Sequence, residues 1–200
     1  MKRIIGMLTL AALLVFSGCS NSSDSGSSGA NNGSGSSGGG VTPAGFVSVA
    51  AGTYNGTTTL TPTSSVFING RTVAIPALYV CDHEVTQGEY ETYCKYGGNS
   101  PSDSYGKGAN YPAYYVSWYD AVVYCNLRTI AELGESECVY SLNDVKNPAS
   151  WPGIVGNATE KYCGPSDTTP DWDYNGDSDV GIKFDPTKKG YRLPTEAEWE

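Results

Sequence analysis

Apolar positions fall into three regimes along this chain. Residues 4–16 form a nearly unbroken apolar run behind Lys2 and Arg3, residues 20–40 are Ser, Gly and Asn apart from Asp24 and Ala30, and from residue 41 short strand-like and longer helix-like patterns alternate. The third regime carries the fold. Phe46, Val47 and Val49, then Gly52-Thr53-Tyr54, read as short strands, and so do Leu78-Tyr79-Val80 and Gly181-Ile182-Lys183-Phe184. Residues 66–68 and 71–75 flank Asn69-Gly70, a pair that tolerates positive φ at both turn positions and predicts a hairpin.

Helix starts are written as capping boxes, in which a Ser or Thr hydroxyl accepts the backbone N–H three residues on and an acidic side chain there reaches back. Thr86 with Glu89 predicts a helix carrying Tyr90, Tyr93 and Cys94 on one face and stopping at Gly97-Gly98. Ser117 with Asp120 predicts a second through about Leu133, ending at Gly134, with Trp118, Ala121, Val122, Cys125 and Leu133 on a buried stripe. Thr195 with Glu198 predicts a third, which only about five residues follow, short of the dozen or so an isolated helix needs. The expectation is therefore an α+β domain with much irregular structure, whose last helix continues past Glu200.

The apolar run is too short to cross a bilayer comfortably and leads into Ser17-Gly18-Cys19. This pattern resembles a bacterial lipobox. It predicts a signal peptide over residues 1–18, lipid attachment at Cys19, and a disordered linker through residue 40 that cannot bury a core. As a random coil the linker spans on the order of 25 Å, enough to hold the domain of residues 41–200 off a membrane. The expected location is the cell envelope, periplasmic or surface-exposed, with the membrane reached through the lipid. The formal net charge is −9, and removal of Lys2 and Arg3 takes it to about −11. Such a surface repels phosphate backbones, which argues against nucleic acid as a partner.

Candidate chemistry is sparse. Cys81, Cys94, Cys125, Cys138 and Cys163 follow the lipobox cysteine, with no C-x-x-C spacing, and read as buried thiols or disulfides rather than as metal or redox groups. His83 is the sole histidine and reads as a strand-end or packing residue. Asp82, Glu84, Glu89 and Glu91 gather near a helix start, where the dipole favours carboxylates. The loop Asp171-Trp172-Asp173-Tyr174-Asn175-Gly176-Asp177-Ser178-Asp179 imitates the first half of an EF-hand, but Ile182 stands where the closing bidentate Glu belongs. A surface loop with weak calcium affinity at best is the reading. Asn157-Ala158-Thr159 is a glycosylation sequon in form only, because a lipobox implies a bacterium.

Three segments together carry a family resemblance. Glu84-Val85-Thr86 with Tyr90, the run Val116-Ser117-Trp118-Tyr119-Asp120-Ala121-Val122-Val123-Tyr124-Cys125-Asn126, and Arg192-Leu193-Pro194-Thr195-Glu196-Ala197-Glu198-Trp199-Glu200 occur in this order. They resemble the sulfatase-modifying-factor domain, the family of the formylglycine-generating enzyme; Ala51-Gly52-Thr53-Tyr54 is similar to its opening. The resemblance implies an α+β fold distantly like C-type lectins. It also implies oxidation of a sulfatase cysteine to formylglycine with a copper ion held by two cysteines, iron-dependent oxidation in other branches, and ligand binding alone in some relatives. The copper cysteines of the family lie beyond the Arg-Leu-Pro-Thr-Glu motif, past Glu200, so the resemblance transfers no catalytic residue and no metal ligand to this chain. Two readings follow: an exported oxidase, or a surface module on the same scaffold that binds a protein or glycan. A structural envelope lipoprotein is a third, with no motif of its own.

Overall fold

The computed structural model describes residues 15–16, 42–56, 70–154, 161–164 and 181–199; Cys19, the 20–40 linker, the 66–68 strand pattern, the Asn157 sequon and the acidic loop 171–179 lie outside them. The main sheet has four strands in the order β2 (Phe46–Val49), β5 (Leu78–Cys81), β1 (Val15–Phe16) and β8 (Tyr191–Arg192). Its neighbours are antiparallel, with Val15 opposite both Val80 and Arg192. The apolar run read as an export signal thus lends two residues to the ladder between β5 and β8, so processing ahead of Cys19 would take β1 out of the sheet. Two ribbons complete the strands: β3 (Gly52–Asn55) with β4 (Thr72–Ile75), and β6 (Tyr140–Leu142) with β7 (Ile182–Phe184). Helices α1 (Gln87–Tyr93), α2 (Trp118–Glu132) and the single turn α3 (Glu196–Trp199) make the mixture α+β, as expected.

Both full capping boxes form. The Thr86 hydroxyl accepts from the Glu89 N–H, and Glu89 Oε2 accepts from the Thr86 N–H at 2.9 Å. α1 nevertheless stops at Tyr93, ahead of the glycine pair, because Cys94 turns extended (φ −120°, ψ 167°) to bridge Tyr162 in parallel. At α2 the Ser117 hydroxyl accepts from the Asp120 N–H, while Asp120 Oδ2 accepts from the Ser117 N–H at 2.8 Å. The other carboxylate oxygen accepts from the Gly164 N–H at 2.7 Å, which ties a distant segment to this helix start. The third box is drawn more simply, with Glu198 Oε2 accepting from the Thr195 N–H at 2.8 Å.

The expected stripe on α2 is corrected at its two ends. Ala121, Val122 and Cys125 are buried, but Trp118 and Leu133 are exposed, and Val123, Tyr124 and Asn126 are buried as well. The helix is covered on more than one side, since β8 and the turn at residues 135–137 pack on it together with α1. Asn126 is a buried polar residue in that environment. Its amide nitrogen donates to Tyr140 O and Lys146 O, both at 2.8 Å, and its oxygen accepts from the Tyr140 N–H, so the tight turn at Asn143 and Asp144 is held against the helix. Among the described residues the strand at residues 72–75 pairs with β3, Thr53 opposite Ala74, while the 66–68 half of the expected hairpin lies outside them.

Candidate functional site

Two features of the described residues bear on function. The first lies where β5 ends. Cys81 closes the strand with its side chain in the core, and the bend at residues 82 and 83 swings the next two side chains round. Asp82 Oδ1 comes to 2.5 Å from His83 Nδ1, and Cys81 Sγ to 3.7 Å from the same nitrogen. The other ring nitrogen meets Glu89 Oε2 at 3.1 Å. The Asp82 carboxylate at Nδ1 holds the His83 imidazole above its ordinary pKa, against some desolvation, with Glu89 acting in the same direction. Burial alone would raise the Glu89 carboxyl, but the Thr86 N–H and hydroxyl, with His83, more than offset it and leave it below the ordinary range.

These residues were legible one at a time, and their convergence was not. The capping role read for Glu89 is what the structure shows, but the same carboxylate also meets the imidazole, and its other oxygen lies 3.8 Å from the Arg128 guanidinium. Arg128 in turn bonds Glu132 at 2.9 Å and lies over the Tyr191 ring, 4.4 Å from its centroid. Among the described residues, Cys81, Asp82 and His83 are the one group of three metal-ligating side chains drawn together. As a nucleophile the arrangement is poor, because burial pushes the Cys81 thiol up and so disfavours the thiolate.

The second feature is a rigid aromatic loop. Tyr105, Tyr111, Tyr115 and Trp118 stand 40–61% exposed within fourteen residues, a clustering of large rings that a folded surface ordinarily hides. The backbone beneath them is clamped. The Gln87 side chain, itself buried, donates to Gly106 O and Pro112 O and accepts from the Gly108 N–H. Gln87 N–H bonds Tyr111 O at 2.7 Å, and the Tyr114 hydroxyl spans both backbone groups of Ser102. Tyr115 adopts φ 60°, a left-handed conformation that costs a bulky residue energy. Replacing Gln87 with leucine leaves three backbone groups without their partner; we expect a loss of about 1–3 kcal/mol and faster hydrogen exchange at the Gly108 amide, read by NMR. Unchanged exchange there would show that the clamp does not hold the loop.

Cys94 and Cys163 are buried, and burial pushes Cys125 and Cys138 up to about 12 and Cys94 well above the ordinary thiol value. Cys81, Cys94, Cys125 and Cys138 are free thiols rather than halves of disulfides, which answers one of the alternatives left by the sequence.

Among curated proteins, the chain is similar to "Chaperone protein LppX" of Paenibacillus barcinonensis, with 28% identity over 205 residues covering all of this chain and 54% of that protein. The chain thus spans about half the length of this relative. No solved structure matches it. The model of the sulfatase-modifying factor enzyme 1-like domain matches residues 37–200, which include the capped helices, the main-sheet strands after β1 and the terminal Arg192–Glu198 motif. The chain belongs to the sulfatase-modifying factor enzyme 1-like domain family.

Proposed function

We propose that this chain serves as an envelope-anchored, non-catalytic binding module on the sulfatase-modifying-factor scaffold, holding exposed apolar segments of another exported polypeptide as a chaperone does. The observation that carries this reading is the set of exposed rings, Tyr105, Tyr111 and Tyr115 on or beside the clamped loop and Trp118 at the start of α2. Rigid aromatic side chains bury much area at little entropic cost, which suits a surface that must hold varied apolar segments. The name of the Paenibacillus relative supports the chaperone form of the reading.

The second reading, a formylglycine-type oxidase, is favoured by family membership. One experiment separates the two. The full-length gene product is assayed for suppression of aggregation of a heat-unfolded exported enzyme, and separately for formylglycine formation on a cysteine-containing sulfatase peptide. We expect suppression, at least about tenfold weaker in Tyr111→Ala/Trp118→Ala, since two large aromatic contacts are lost. Turnover of the peptide, or suppression untouched by the double variant, would sink the proposal. Anchoring is tested in the same strain: Cys19→Ala is expected to move the protein from membrane to soluble fractions and to abolish labelled fatty acid incorporation. Incorporation at the wild-type level would refute the lipobox assignment.

A further inference from the structure

We infer that Cys81, Asp82 and His83 form a three-ligand site for a zinc-class divalent cation, with Glu89 as the group that orients the histidine. The donor set is one thiol, one carboxylate and one imidazole, with a ligand atom of each within 4.8 Å of the others. Mixed sulfur, nitrogen and oxygen donors suit zinc, and three protein ligands leave a fourth position for water. The spacing fits. A tetrahedral zinc with bonds of about 2.3 Å to sulfur and about 2.0 Å to nitrogen puts those atoms about 3.5 Å apart, and Cys81 Sγ stands 3.7 Å from His83 Nδ1.

The backbone explains why three consecutive residues converge. Strand alternation would send Asp82 to the face opposite Cys81 and His83, but β5 ends at Cys81, the Asp82 N–H makes one last bond in register with β2, to Gly45 O at 2.9 Å, and the chain then bends at residues 82 and 83. The site is walled by the core on the thiol side and open through Asp82 and His83, whose side chains are 51% and 41% exposed. The orienting group is already in place. A metal-bound histidine gives its other ring N–H to a carboxylate, and here His83 Nε2 faces Glu89 Oε2 at 3.1 Å, itself fixed by the Thr86 N–H and hydroxyl. Arg128, beyond Glu89, is engaged by Glu89 at 3.8 Å and Glu132 at 2.9 Å, so its charge is balanced on that side. Binding exchanges the cation for two protons: the thiol proton of Cys81 and the Nδ1 proton that now bridges to Asp82 pass to solvent, with no change of oxidation state.

The full chain is titrated with cobalt(II), whose thiolate charge-transfer band reports a sulfur ligand, and zinc affinity is then read by displacement of the cobalt. We expect the band in the wild type, its loss in Cys81→Ser, and zinc binding weakened more than about a hundredfold in His83→Gln. Glu89→Gln keeps all three ligands and is expected to weaken zinc binding about 10–100-fold. Cys138→Ala, which removes a thiol distant from the site, should leave both readouts intact. Thermal unfolding checks each variant's fold, and if Cys81→Ser is unfolded, the partly exposed His83→Gln decides. Absence of the band in the wild type, its survival in Cys81→Ser, its loss in Cys138→Ala, or unchanged zinc affinity in His83→Gln would each overturn the site.

Discussion

Replacing Arg192 with leucine is expected to cost about 3–5 kcal/mol of folding stability, the range for removing one partner of a buried ion pair. Arg192 and Glu198 form a two-pronged pair with both nitrogen–oxygen distances at 2.6 Å, and their side chains are 4% and 6% exposed. Loss of the guanidinium leaves the buried carboxylate without its counter-charge, held only by the Thr195 N–H among the bonds described above. Chemical denaturation of the full chain measures this, and a loss below about 1 kcal/mol would place the pair in the class of surface bridges. Acid should act on the same pair. Burial tends to raise the Glu198 carboxyl, but Arg192 and the Thr195 N–H outweigh it and leave it below its ordinary value of 4.5. A carboxyl with a depressed folded-state pKa contributes stability that is present above the unfolded value and lost as pH falls through the folded one. Acidification below about 4.5 should therefore destabilise the wild type more than Glu198→Gln. Parallel acid profiles in the two proteins would contradict this.

Gly190→Ala should be comparably damaging, by about 3 kcal/mol, through overpacking of a site with no room. A Cβ at residue 190 would lie 2.4 Å from the Glu137 carbonyl oxygen and 2.7 Å from Thr129 Cγ2. Neither neighbour is free to yield. The Glu137 carbonyl accepts from the Gly190 N–H at 3.0 Å, and the fully buried Thr129 hydroxyl accepts from the Tyr191 N–H at 2.9 Å. The methyl would therefore push β8 away from α2 and disturb the ladder that begins at Tyr191. Gly98→Ala is the control, since nothing lies within 4 Å of its Cβ position. Equal unfolding midpoints for the two variants would refute the steric account.

What the sequence by itself determined are features whose physics closes within three or four residues. The capping boxes at Thr86 and Ser117 could be read because donor and acceptor sit three positions apart, and the family motifs could be read because they are contiguous. The α+β mixture and the positions of β2, β5 and β7 followed from patterns equally local. Tertiary structure decided wherever a partner comes from far along the chain. The bridge from Cys94 to Tyr162 ended α1 before its glycines, and packing by β8 and residues 135–137 buried faces of α2 that a single stripe left outside, while exposing Trp118. The short strand β6 escaped notice because its partners are distant in sequence, Asn126 fourteen residues before Tyr140 and β7 far after it. Likewise Gln87 carried no sign of its clamp on residues 106–112, and His83 looked bland until the bend after β5 and the first turn of α1 brought Asp82 and Glu89 to its two nitrogens. A side chain's partners across a turn of helix are set by spacing; its partners across the core are set by how every other element packs, which no local pattern encodes.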